Sequence, residues 1–147
     1  MTAEILFVED NPADRKIALE VLKKSRYAKE VHIAEDGEIA TAMLLKTGDY
    51  ISSPTPDLII LDLNLPKKDG REILAEVKSH SVLKLIPVVV LTSSDAEADI
   101  QKAYSLGANC YLTKPSRLNE FLMTVRKIEE FWLEYVRIPS LNLNPPS

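Results

Sequence analysis

The chain has 147 residues, of which 46% are hydrophobic and 27% charged, with a formal net charge of −4. That length is enough for one domain with a single substantial core. The acidic balance supplies no basic face for nucleic acid, and no apolar stretch approaches a membrane span. The lone cysteine, Cys110, excludes an internal disulfide and suits a reducing compartment.

Taken in chain order, five apolar runs alternate with five amphipathic segments. Candidate strands fall at 4–8, 31–34, 58–62, 87–92 and 110–113. The first, third and fourth are continuous in Val, Ile and Leu, the pattern of parallel strands covered on both faces. The first helix is expected over 12–25, with Asn11 as N-cap and Pro12 at its first position. It would bury Ile17, Ala18, Val21 and Leu22. A second helix spans 38–47, with Gly48 as its stop, followed by a proline-stiffened loop over 49–56. The third covers 71–79 and buries Ile73, Leu74 and Val77. The fourth covers 96–106 after a cap at Asp95 and ends at Gly107. The fifth begins near Arg117 and buries Leu118, Phe121, Leu122, Val125 and Ile128, with Trp132 and Tyr135 continuing its spacing. A single folded body is expected over 1–137 and a flexible or docked tail over 138–147. With no leader ahead of the first strand, the chain reads as cytoplasmic.

Strict strand–helix alternation implies right-handed crossovers and a doubly wound parallel sheet. Five strands favour the α/β, flavodoxin-like (βα)5 order 2-1-3-4-5, whose ligand site lies at the carboxyl ends of strands one and three. Polar groups stand at those ends. Glu9 and Asp10 follow Ile5-Leu6-Phe7-Val8, Asp62 follows Leu58-Ile59-Ile60-Leu61, Thr92 follows Val88-Val89-Val90-Leu91, and Lys114 follows Cys110-Tyr111-Leu112-Thr113. A carboxylate at the end of an apolar strand is costly unless paired. Three converging acids repel and call for a cation. All-oxygen donors suit a hard divalent ion, magnesium before calcium, and the lack of a Cys/His cluster disfavours zinc. Beside such an ion and an ammonium, a carboxylate can attack phosphorus and form an acyl phosphate.

As a set, Glu9-Asp10, Asp62, Thr92 and Lys114-Pro115 resemble the response-regulator receiver domains of two-component signalling, over about residues 4–131. The resemblance implies that Asp62 takes a phosphoryl group from a histidine kinase. It implies that Asp10 and Asp62 bind Mg2+, with Glu9 acting through water and the Asn64 backbone carbonyl as a further ligand. Lys114 would pair with the phosphoryl group across a cis Lys114–Pro115 bond, and Thr92 and Tyr111 would form the switch. The stretch 61–72 and Phe131-Trp132-Leu133-Glu134 resemble small regulators paired with cyanobacterial phytochrome kinases, which makes a phytochrome the expected kinase. No DNA-binding or catalytic domain follows, so the expected output is contact with an unknown downstream protein. The chain is read as a stand-alone regulator, not an enzyme.

Each residue alone has a plainer reading. Glu9-Asp10 could be a helix-entry pair favoured by the dipole, Lys114 a solvated lysine, Thr92 a strand-closing β-former and Tyr111 a packed aromatic. Cys110 reads as a small buried hydrophobe, and His32 and His80 as surface residues away from the crevice. Phe131, Trp132 and Tyr135 overrun the sheet and suggest an interface, hence a homodimer through the fourth and fifth helices and the extension. The rival class is a metal-dependent phosphatase-like hydrolase on a similar sheet, which would need further acid/base residues and a cap. A flavodoxin-type cofactor binder is poorer, since Glu9-Asp10-Asn11 would repel a flavin phosphate.

Overall fold

The computed structural model describes residues 2–141. Five parallel strands, β1 (Ala3–Val8), β2 (Ala28–Ala34), β3 (Leu58–Leu61), β4 (Val88–Thr92) and β5 (Cys110–Thr113), form one sheet in the order β2-β1-β3-β4-β5. This is the flavodoxin-like order. β1 is fully buried and pairs with β2 on one side and β3 on the other. The chain therefore leaves β1 in opposite directions, and a crevice opens between the carboxyl ends of β1 and β3.

Helices α1 (Pro12–Lys23) and α5 (Leu118–Glu129) cover one face. There Ala18, Leu22, Phe121, Val125 and Ile128 pack on Ile5, Phe7, Leu58, Ile60, Val89 and Leu91. Helices α2 (Gly37–Leu45), α3 (Gly70–Ser79) and α4 (Glu97–Ser105) cover the other. Ala40, Leu44, Ile73, Leu74, Val77 and Ala103 meet the opposite side chains of the same strands. Each fully buried Leu or Ile contributes roughly 1.5–3 kcal/mol, which is why the apolar runs, not the loops, fix the strand register.

Several elements depart from the sequence reading. β2 starts at Ala28, not residue 31, because Lys29 and Glu30 sit on an exposed sheet edge where backbone pairing holds the strand. α2 stops at Leu45, and the left-handed residue that turns it is Lys46, φ 56°, not Gly48. Gly48 opens a short 3-10 turn, Gly48–Tyr50. The N-cap position of α4 is Ala96, not Asp95, and no side chain caps the helix. Ser94 Oγ accepts from the Ala96 amide at 3.3 Å. Leu118 and Leu122 face outward, since the α5 stripe that meets the sheet is carried by Phe121, Val125 and Ile128.

α5 continues as a π-helical segment, Glu130–Tyr135, and the wider turn divides its aromatics. Trp132 and Leu133 lean on the α1/α5 core, whereas Phe131 and Tyr135 are exposed, their rings 6.0 Å apart. Of the expected tail, Ile138 packs on that core and the Leu141 amide donates to Asp57 Oδ1 at 3.3 Å. Residues 142–147 lie outside the described residues. Asp57 also accepts from the Glu4 amide at 2.8 Å, so one buried carboxylate ties β1 and the C-terminal segment at the pole opposite the crevice. His32 is not a free surface residue. Its Nε2 lies 2.8 Å from the buried Glu4 carboxylate. His80 is half-buried, and its Nδ1 accepts from the Val82 and Leu83 amides.

Candidate functional site

Asp62 follows the last residue of β3 and is buried. Its backbone amide is bonded to the Val8 carbonyl at 3.1 Å, continuing the β1–β3 pairing past the strand and holding the side chain over the crevice. Its two oxygens are divided between partners. Oδ1 accepts from Thr92 Oγ1 at 2.8 Å and from the Asn64 amide at 3.1 Å. Oδ2 lies 3.1 Å from Lys114 Nζ.

Lys114 gathers the rest of the pocket. Its ammonium contacts Glu9 directly and Asp14 Oδ2 at 3.1 Å. The bond to Pro115 is trans, since no cis peptide occurs among the described residues, and the expected cis form is corrected. Trans is the isomer X–Pro bonds favour by about 0.5–1 kcal/mol, and the lysine reaches Asp62 from that backbone. Burial works against the Lys114 charge, but the Glu9 hydrogen bond, the Asp62 and Glu9 charges and Asp14 outweigh it and hold the ammonium above its ordinary range. The sequence offers Asp14 as a first-turn acid of the first helix and not as a member of the site. Its place in the first turn of α1, one turn past the crevice, was the available signal.

The acids are arranged unequally. Glu9 is buried, accepts from the Asn11 amide at 3.1 Å, and shares Lys114 with Asp62. Burial pushes its carboxyl up to about 7, the Lys114 hydrogen bond opposes that, and the Asp62 charge adds to it. Asp10 is exposed, and the Asp10 carbonyl is held by Arg15 at 2.8 Å. Carboxylate oxygens of Glu9, Asp10 and Asp62 all lie within 4.8 Å of one another. One ammonium cannot neutralise these three and Asp14 as well, so the cluster keeps an excess of negative charge. Such an oxygen-only donor set fits a hard divalent cation. Asn64, whose carbonyl is the further ligand expected from the sequence, is exposed, and its amide is the group that contacts Asp62.

The loop between β3 and α3 is folded tightly onto this pocket. At Gly70 a Cβ would stand 2.2 Å from the Asp62 carbonyl oxygen, so only glycine admits the return of the chain. The Gly70 amide closes the loop on the Leu63 carbonyl at 2.9 Å. Across the crevice, Tyr111 donates its hydroxyl to the Ser94 carbonyl at 2.8 Å. Burial raises the Tyr111 pKa, which keeps that hydroxyl a donor. The structure thus brings Asp62, Thr92, Lys114, Glu9 and Asp10 into one pocket, with Tyr111 reaching it through the loop after β4. Phe131, Trp132 and Tyr135 lie on the α5 extension. Cys110 is half-buried, and burial pushes its thiol up, as for a packed residue.

The response regulator receiver domain family matches residues 5–126. The chain belongs to that family. It is 53% identical over 136 residues to the response regulator Rcp1 of Synechocystis sp., covering 92% of each chain. It is 38% identical to a probable methanogenesis regulatory protein, FilR2, of Methanothrix harundinacea, covering 92% of this chain and 86% of that one. Among solved structures, the Mn2+-bound form of Rcp1 superposes with a TM-score of 0.91 at 52% identity, over 94% of this receiver and 99% of that chain. The phosphorylated cyanobacterial phytochrome response regulator RcpA gives 0.92 at 49% identity, over 95% and 100%. This receiver is a homologue of the phytochrome response regulators, with the same five-stranded fold. Among the described residues no helix is long and apolar enough to cross a membrane.

Proposed function

We propose that this receiver accepts a phosphoryl group on Asp62 from a histidine kinase, and that the kinase is a phytochrome. The observation that carries the reading is the division of the Asp62 carboxylate between Thr92 and Lys114, beside the Glu9 and Asp10 oxygens. The likeness to the phosphorylated phytochrome regulator RcpA supports it. An Asp62 carboxylate oxygen attacks phosphorus in line, the phosphorus–nitrogen bond of the donor phosphohistidine breaks, and its electron pair leaves with the imidazole. The product is an acyl phosphate. Lys114 takes up charge on the phosphoryl oxygens and Thr92 turns its hydroxyl to one of them. Glu9, Asp10, Asp62 and the Asn64 carbonyl would hold Mg2+, which when bound supplies further charge neutralisation at the transferring group. Rcp1 has been seen with Mn2+, and the donor set suits either ion.

The output is a change in protein contacts, made to a downstream protein and to a second copy of this chain. Tyr104 on α4, Leu118 and Met123 on α5, and Phe131 and Tyr135 beyond it are exposed and support a homodimer through that face. Light scattering at high concentration, with and without phosphodonor, tests this arm, and a monomer under both conditions overturns it.

Incubation with labelled acetyl phosphate and Mg2+ tests the central reading. Acid-stable, hydroxylamine-sensitive label is expected at Asp62 and none in Asp62→Asn. Label of that kind retained by Asp62→Asn would refute it, and turnover of simple phosphate monoesters would favour the hydrolase class.

A further inference from the structure

A line of charged and polar contacts outside the pocket joins its two walls. Asp69, the N-cap of α3, closes the loop that starts at Asp62, and it accepts from the Arg71 amide at 2.7 Å. Arg71 grips the Asp69 carboxylate with one terminal nitrogen, at 3.2 and 3.1 Å. Its other terminal nitrogen reaches Asp99 Oδ1 on α4 at 3.1 Å. The second Asp99 oxygen accepts from Ser94 Oγ at 2.5 Å. Ser94 is the residue whose carbonyl receives Tyr111, and only Ser93 separates it from Thr92.

We propose that Arg71 is a positioning residue: by bridging Asp69 to Asp99 it fixes the β4–α4 loop so that Thr92 stays on Asp62 and the Ser94 carbonyl stays on Tyr111. The inference rests on the reading of Asp62 as phosphoryl acceptor and adds to it a group that touches no reacting atom. Two residues of extended chain span at most about 7 Å, so a shift of Ser94 is passed to Thr92. The Thr92 carbonyl is pinned at its other end by the Lys114 amide at 2.7 Å, which leaves the Ser94 side as the free lever. The Ser94 hydrogen bond and Arg71 together hold the Asp99 carboxyl below its ordinary range, so the bridge is charged on both sides. Because Arg71 and Asp99 side chains are 26% and 32% exposed, the pair adds little to global stability. Its loss should therefore disturb the site without unfolding the domain.

The test uses the full chain with acetyl phosphate and Mg2+, comparing Arg71→Ala, Asp99→Ala, the double variant and Arg71→Ala combined with Tyr111→Phe. Each single variant is expected to slow labelling of Asp62 roughly tenfold. The double variant should be no slower than either single, and Tyr111→Phe should mask the Arg71 change. In parallel, the Tyr111 ring resonance, assigned through Tyr111→Phe, should move toward that of an unbonded tyrosine in Arg71→Ala. Wild-type rates in both singles, effects that simply multiply, or an unmoved Tyr111 resonance overturn the proposal. If the wild type takes no label while the resonance still shifts, the acceptor reading falls and the bridge stands. Ser94→Ala removes only the hydroxyl link and should act in the same direction, should either charge variant fold poorly.

Discussion

Lys114 and Asp62 are 52 positions apart in the chain, yet ammonium and carboxylate meet at 3.1 Å. The contact makes Lys114 the nearest positive charge to the proposed acceptor oxygen. Lys114→Ala is expected to slow acetyl-phosphate labelling of Asp62 by about a hundredfold, the scale of removing one preorganised donor from a developing charge. Initial rates at matched Mg2+ check this, and a change of less than twofold would remove Lys114 from the mechanism.

Divalent metal should stabilise the fold through the same acids. Ligand at a hundredfold excess over its dissociation constant adds about 2.7 kcal/mol. The melting temperature is therefore expected to climb with added Mg2+ or Mn2+ and to fall back with chelator. Asp10→Asn should flatten that response while leaving the metal-free melting curve nearly unchanged, because Asp10 is exposed.

Gly70→Ala tests the tight return of the acceptor loop. The new methyl would meet the Asp62 carbonyl and the Leu63 Cα, both backbone atoms that cannot swing aside. A loss of about 1–3 kcal/mol is expected in urea unfolding, together with slower labelling. Unchanged stability would show that the loop sits farther from α3 than described.

How much of this was legible beforehand follows the physics of each feature. The strand-end groups Glu9, Asp62, Thr92 and Lys114 could be found because each interrupts an apolar run, and parallel order carries such interruptions to one rim. Asp14, Arg71 and Asp99 gave no comparable signal. Their partners are supplied by other helices, and a charged residue on an amphipathic helix looks the same whether paired or solvated. The α2 stop is hidden in the sequence for a different reason: glycine is the cheapest left-handed residue, but Lys46 takes that conformation first.

The left-handed backbone at Lys46 can be tested directly. A non-glycine residue at φ 56° bears roughly 1–2 kcal/mol of steric cost. Lys46→Gly should recover part of it, offset by the greater freedom of glycine in the unfolded chain. A rise in melting temperature of about 2–4 °C per kcal/mol recovered is expected by calorimetry.

Cys110 offers a pH readout of packing. Burial pushes its thiol upward, so less thiolate exists at neutral pH than for a free cysteine. Modification by an aromatic disulfide reagent should be slow at pH 7, accelerate only above the ordinary thiol range, and become rapid in denaturant. Fast labelling of the native protein at pH 7 would place the sulfur at the surface.

The β3–α3 loop is hemmed in on both flanks. A Cβ at Gly37 would stand 2.0 Å from the Lys68 carbonyl, as one at Gly70 would stand against Asp62. Both helix starts therefore press backbone to backbone on the loop, and a side chain at either glycine would prise this side of the crevice open. The closeness of the acceptor loop to both helices is thus a property of two missing methyl groups.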